Sequence, residues 1–362
     1  MDLVPLIDQL GENGAAIAGG AVIGVVFGFF AQRTGFCTRS ALLDVVRGRN
    51  FSALAVWLAG FAVTVLGVQL LLQQDMLSVQ ETRFFSTAQS LSGAIVGGLL
   101  FGAGMVLARG CVSRLVVLGS SGNLRAIYSL AIVAAVGLAT YSGFLVPLRD
   151  SIGSGWSSAA IGGNDLLAHF GLAQGYGVAV GIVLVLAALG VSLRARVSPL
   201  LVLGGAVVGL TVVAGWYFTH ELSLQVFEPI QAESLSYIRP LATTAALLGS
   251  GDAAGLDQGV IVGTILGAFI ASLLFREFRI ATFAEPGTPS ILRYTAGAAL
   301  MGFGGILAVG CTIGAGFTGG SVLAVSSLVG LASMLAGGAI TDILVDRPRA
   351  ARELEATTMP AE

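Results

Sequence analysis

Lysine is missing from this chain, and charge of either sign is scarce: 18 arginines and 20 acidic residues make up 10% of 362 positions. A soluble domain carries about 25% charged residues, so most of this surface faces something other than water. The net charge of −2 leaves no basic footprint for nucleic acid. Histidine is down to two, His169 and His220, which read as hydrogen-bonded or exposed groups rather than metal ligands. The three cysteines, Cys37, Cys111 and Cys311, are an odd number and show no Cys-x-x-Cys spacing, which argues against zinc or a redox pair and for free thiols. Gly102-x-Gly104 lacks the strand–turn–helix setting of a dinucleotide fingerprint. With no haem or flavin signature either, no cofactor is expected and the chain does not read as an enzyme.

What is present is apolar length. Hydrophobic residues reach 55% and glycine 52 positions, roughly double the usual ~7%, with mean hydropathy +0.90. At ~20 residues per crossing, nine spans are predicted near 14–33, 52–74, 91–118, 126–147, 173–193, 198–217, 257–275, 291–316 and 321–343. The expected class is an all-α integral membrane protein. The first span is not read as a cleaved leader, because residues 1–13 hold Asp2, Asp8 and Glu12 and no basic residue. Arginines cluster on alternate sides: Arg39, Arg47 and Arg49; Arg194 and Arg196; Arg276 and Arg279; Arg347, Arg349 and Arg352. The positive-inside rule places these in the cytoplasm, the N-terminus outside and the C-terminus inside. Loops 75–90, 148–172 and 218–256 then face out.

Two of those spans carry the same interrupted pattern. Gly102-x-Gly104-x-x-Leu107-Ala108-x-Gly110-Cys111 recurs as Gly302-x-Gly304-x-x-Leu307-Ala308-x-Gly310-Cys311. One copy enters from outside and the other from the cytoplasm, as an inverted-topology repeat with broken or re-entrant helices requires. The predicted halves are 1–196 and 197–345, followed by a disordered cytoplasmic tail, 346–362. A weaker match sets Gly35-Phe36-Cys37 beside Gly215-Trp216-Tyr217, which would give Tyr217 the fourth related place. Segment 36–50 reads as a short re-entrant helix starting near Cys37, with 220–238 as its counterpart and Glu221, Glu228 and Glu233 on a solvated face. Trp57, Trp156 and Trp216 read as interface anchors.

Glycine beside each cysteine, notably Gly110 and Gly310, lets the chain stop being helical at mid-depth, where backbone must line a cavity or pack on protein. A half-helix beginning there points free N–H groups and about half a positive charge into the gap. That favours an anion without any lysine. A thiol is a weak donor at neutral pH, poorly suited to sulfate and better suited to a polarizable terminal sulfur or selenium. Arg109, so near a membrane break, is a candidate for assisting the anion, and guanidinium binds oxyanions well.

Arg33-Thr-Gly-Phe-Cys37-Thr-Arg39-Ser, Ala108-Arg109-Gly110-Cys111 and Ala308-Val309-Gly310-Cys311-Thr312-Ile313-Gly314 resemble the YeeE/YedE sulfur-transport family of bacterial inner-membrane proteins. The resemblance runs from about residue 15 to 343. It implies thiosulfate uptake through an hourglass-shaped protein, with Cys37, Cys111 and Cys311 meeting the terminal sulfur through S–H···S contacts. For some relatives it implies a small cytoplasmic sulfur-carrier protein as partner, and for others a link to selenium. Val309 departs from its sister position Arg109. The expected site is therefore Cys37, Cys111, Cys311, Arg109, Gly110 and Gly310, in a permease for thiosulfate or a related sulfur or selenium oxyanion. A membrane thiol oxidoreductase and an accessory subunit of a sulfur pathway are the alternatives.

Overall fold

The computed structural model describes residues 3–48, 50–226, 231–250 and 254–348. Predicted features at Glu228 and beyond residue 348, including most of the tail, lie outside those residues. The described chain is helical: α1 Val4–Thr34, α2 Thr38–Val46, α3 Ser52–Gln73, α4 Leu91–Leu107, α5 Val112–Ser120, α6 Leu124–Tyr141, α7 Val146–Gly153, α8 Leu166–His169, α9 Gly175–Arg194, α10 Pro199–Ser223, α11 Ile238–Ser250, α12 Leu256–Leu274, α13 Ile291–Leu307 and α14 Val325–Thr341. A wider π-helix, Thr312–Gly319, follows α13, and another, Asp342–Asp346, extends α14. Nine of the described helical stretches are long and apolar enough to cross a membrane, with bounds close to those expected.

Local signals start these helices. Asn123 caps α6 by accepting from Arg125 and Ala126 N–H, and Ser90 caps α4 through Gly93 N–H. Asp44 reaches across to cap α3, accepting from Ala53 N–H at 2.7 Å, which satisfies an orphan donor that lipid could not.

The glycine excess is spent on helix contacts. Gly20, Gly24 and Gly28 of α1 face Gly259, Gly263 and Gly267 of α12, and a Cβ built at any of them would fall within 2.5 Å of the partner's backbone. Small residues at every fourth position let backbones touch where no hydrophobic effect drives association. The large apolar side chains point outward instead: Ile182, Val183, Leu186 and Leu193 on α9, and Val262, Ile270 and Leu274 on α12, are exposed, as a lipid-facing belt requires. The interior is unusually polar, burying Thr64, Gln69, Ser234, Ser236, Thr264, Thr312 and Thr318.

The helices pack in a paired pattern. α1 packs on α12 and α10 on α3; α4 packs on α14 and α13 on α6; α2 meets α3 and α11 meets α12. Where α4 crosses α13, Gly97 faces Gly304 while Gly104 faces Gly297. Early residues of one helix thus meet late residues of the other, so these two run antiparallel.

Several expectations are corrected here. Helix α10 runs unbroken through Gly215, whose missing Cβ makes room for Ser234 Oγ at 2.5 Å rather than for a break. Tyr217 is therefore not at a fourth break. The short helix after α10 is α11, not segment 220–238, and the stretch before it, 232–237, is non-helical and buried. Glu233 lies in that buried stretch and is not on a solvated face. Trp57 and Trp216 are buried rather than interfacial: each indole N–H is used inside, on Thr38 Oγ1 at 3.0 Å and on Thr318 O at 3.3 Å. Trp156 is exposed.

Candidate functional site

One backbone device is built three times. Helix α1, α4 or α13 closes with a residue in the left-handed region: Gly35 at φ 65°, Arg109 at φ 62° and Val309 at φ 57°. The next residue bonds back to the carbonyl five positions earlier: Phe36 N–H to Ala31 O at 3.1 Å, Gly110 to Met105 at 3.0 Å, Gly310 to Gly305 at 2.9 Å. This is the Schellman closure. Then comes the cysteine, with an extended backbone, as the N-cap of the next helix. Its carbonyl accepts from the residue four on: Ala41 at 3.1 Å, Leu115 at 2.9 Å and Ala315 at 2.8 Å.

The two sister glycines carry different loads. A Cβ at Gly310 would stand 2.5 Å from Ala315 N, so only glycine fits; at Gly110 the nearest atom is Leu115 Cδ2 at 3.3 Å. Val309 bears real strain, since a β-branched side chain costs about 1–2 kcal/mol in this conformation.

Tyr237 stands in a similar position before another short helix. Tyr237 precedes α11 as Cys37 precedes α2, and its carbonyl accepts from Leu241 N–H at 3.3 Å. Arg239 then stands two residues on, as Arg39 does after Cys37. Sequence reading missed this because the lead-in to α11 is a buried non-helical stretch rather than a glycine-broken helix; the signal was the constant spacing of 200 to Cys37-Thr38-Arg39.

All three thiols are free and buried. Cys37 and Cys111 lie close enough for their side chains to interact. Cys111 Sγ also meets Ser113 Oγ at 3.5 Å, and Cys311 Sγ accepts from Gly314 N–H at 3.5 Å. Tyr237 lies within electrostatic reach of Cys311 and Cys111. Its hydroxyl is held by Thr264 Oγ1 at 2.8 Å, and its ring packs on Phe27 at 5.3 Å. Beside Cys37, Phe36, Trp57 and Phe61 close around Phe317 with ring centroids 5.3–5.6 Å from it, tying the break before α2, helix α3 and the Thr312–Gly319 helix together.

Charge is gathered near the thiols in two groups. Near Cys37, Asp346 holds Arg39 and Arg293, and Asp342 holds Arg47. Arg114 donates to Ala31 O at 3.2 Å. Arg109 does not turn toward Cys111. Its side chain is exposed and lines a recess of about 150 Å³ with Asn123, Arg125 and Tyr294, within electrostatic reach of Arg39. Near Cys311, Arg83 donates to Val309 O at 3.2 Å and pairs with Glu233 at 3.1 Å. Glu233 also takes Arg239 at 2.5 Å, and Arg239 reaches Asp257 at 3.2 Å. Burial works against the charge on Glu233, but Arg83 and Arg239 outweigh it and hold the carboxyl below its usual range. Among the described residues no cluster of His, Cys, Asp and Glu suits a metal ion.

Nine membrane-length helices among the described residues, with three buried free thiols, define a multi-pass membrane protein. The sequence matches the family described as "Sulphur transport" over residues 33–340, and the chain belongs to it. It is 26% identical over 354 residues to the thiosulfate transporter TsuA of Escherichia coli (strain K12), covering 89% of this chain and 92% of that protein. It is 29% identical over 322 residues to the thiosulfate transporter TsuA of Spirochaeta thermophila, covering 85% and 92%. These relatives are named transporters, a non-enzymatic role.

Proposed function

We propose that this protein is a bacterial inner-membrane permease that imports thiosulfate, passing it along Cys311, Tyr237, Cys111 and Cys37. The observation that carries this reading is the placing of every cysteine at the head of a half-helix inside one buried cluster. A bare divalent anion costs tens of kcal/mol to bury in a low-dielectric core. Half-helix N-termini and the flanking arginines offset part of that cost without creating a tight trap. Neutral thiols contribute S–H donors to the soft terminal sulfur, which sulfate lacks.

The chain forms two inverted halves, 1–196 and 197–345, and the antiparallel crossing of α4 and α13 supports this. With the arginine-rich loops inside, Arg83 and Cys311 face the periplasm, while Cys37, Arg39 and Arg109 face the cytoplasm. Gly110 and Gly310 shape the breaks, and Arg109 draws the anion from its open recess rather than binding beside Cys111. A small sulfur-carrier protein on the cytoplasmic side is the partner that would consume the solute.

Uptake of labelled thiosulfate by cells carrying the parent or Cys111→Ala tests the reading. Loss of uptake in the variant supports it; uptake at the parent rate removes the cysteine from the path.

A further inference from the structure

Among the described residues, buried side-chain polar atoms without a hydrogen bond occur at Gln32, Arg39, Gln69, Thr244 and Arg293, and a further group gathers near Cys311. The donors in that group are Arg83 Nε and Nη2, Ser236 Oγ and Thr312 Oγ1. All belong to residues that border Cys311. Thr312 is the first residue of the helix that Cys311 caps. Ser236 Oγ lies against Gly314, 2.7 Å from where a Cβ there would stand, so this glycine leaves the hydroxyl its space. Arg83 is tied to Val309 O, two residues before the cysteine.

Leaving a buried donor unsatisfied costs about 1–3 kcal/mol each, and a fold does not gather several around one thiol without use. Their mountings are firm. Gln89 donates to Arg83 O at 2.7 Å, Asn164 donates to Phe84 O at 2.7 Å, and the guanidinium lies 4.7 Å over the Phe84 ring. Thr318 donates to Leu235 O at 2.6 Å and Ser234 to Val212 O at 2.6 Å, which pins the two residues leading into Ser236. The Arg83–Glu233 pair is close at 3.1 Å, yet neither Arg83 Nη2 nor Glu233 Oε1 has hydrogen-bond geometry. The charge is balanced while the N–H groups stay available.

We infer that Arg83, Ser236 and Thr312 form an oxyanion cradle around Cys311, which takes the three-oxygen end of a sulfur oxyanion while the thiol faces its terminal sulfur. This rests on the permease reading and gives it a division of labour. Guanidinium and hydroxyls hold hard oxygens; the thiol tests for a soft atom. The break at Cys111 has arginines with an unpartnered Nε nearby, Arg39 and Arg293, but no free hydroxyl: Val112 stands where Thr312 does, and Ser113 Oγ is already engaged with Cys111 Sγ.

The test is equilibrium binding of labelled thiosulfate and sulfate to the purified full chain in micelles, with the melting temperature measured on the same samples. Thr312→Val and Ser236→Ala each weaken thiosulfate binding about tenfold without lowering the melting temperature, because the fold makes no use of either hydroxyl. Arg83→Gln weakens both anions more, and Thr312→Ser restores parent affinity. Parent affinity in both hydroxyl variants overturns the cradle, as does failure of Thr312→Ser to restore it. A parent chain that binds no thiosulfate overturns cradle and permease together. Parent affinity in Cys311→Ala beside weakened Thr312→Val removes the thiol from recognition and leaves the cradle standing.

Discussion

The breaks at Cys111 and Cys311 share a backbone and little else. Both close through a left-handed residue and a Schellman bond, and both restart on a cysteine carbonyl. Around Cys111 the neighbours are another thiol, an engaged serine hydroxyl and an arginine turned out into an open recess. Around Cys311 they are unengaged hydroxyls and a guanidinium held by a buried carboxylate. On the proposed reading, one backbone geometry serves both ends, and a few side chains make the Cys311 end hard-anion-seeking and the Cys111 end soft. In that proposal a solute passing between the ends meets different chemistry at each, which suits capture at one and release at the other.

The comparison breaks most visibly at the thiols. Cys311→Ala and Cys111→Ala each lower thiosulfate uptake at least tenfold, a loss of about 1.4 kcal/mol or more. Cys311→Ala also raises the Michaelis constant, read from initial rates across substrate concentration. Equal effects on rate and Michaelis constant at both sites would erase the proposed asymmetry.

Next in size is the pair of sister glycines. Gly310→Ala drives a Cβ into Ala315 N at 2.5 Å and costs about 1–3 kcal/mol. Gly110→Ala meets only the end of Leu115 at 3.3 Å, and costs under about 1 kcal/mol. Thermal melts of the two variants in one detergent compare them directly.

The left-handed positions sharpen the contrast further. Val309→Gly relieves β-branched strain, and the melting temperature holds or rises by the equivalent of up to about 1 kcal/mol. Arg109→Gly, at an unbranched residue, gains less.

Smallest is a pH effect at the Arg83 end, where Arg83, Arg239 and Asp257 face Glu233. Because its carboxyl is held below the ordinary range, near 4.3, its stabilising contribution is present above that range. It is lost as pH falls through the lowered value. The melting-temperature gap between parent and Glu233→Gln is thus constant from pH 6 to 8 and closes only on acidification below about pH 4.

Membrane crossings and breaks were legible in the sequence because both depend on local composition: apolar length, and glycine beside cysteine. The fold class and the placing of Cys37, Cys111 and Cys311 at helix starts followed from that. The position of Tyr237 was not, because the stretch before it is buried by tertiary packing on α10 and the Thr312–Gly319 helix, with no periodicity of its own. Arg83 and Ser236 were missed for the same reason, since each arrives from a loop whose spacing carries no signal. Thr312 stood inside the quoted motif, but only its lack of a partner in the folded chain marks it out. Trp57 and Trp216 misled because aromatic belts and aromatic cores use the same residue.

Initial-rate uptake of labelled thiosulfate into liposomes holding only the purified chain bears most directly on the central claim, with Cys111→Ala reconstituted in parallel. Saturable uptake by the parent that falls at least tenfold in the variant is expected. No uptake by the parent, or equal rates in both, contradicts the account.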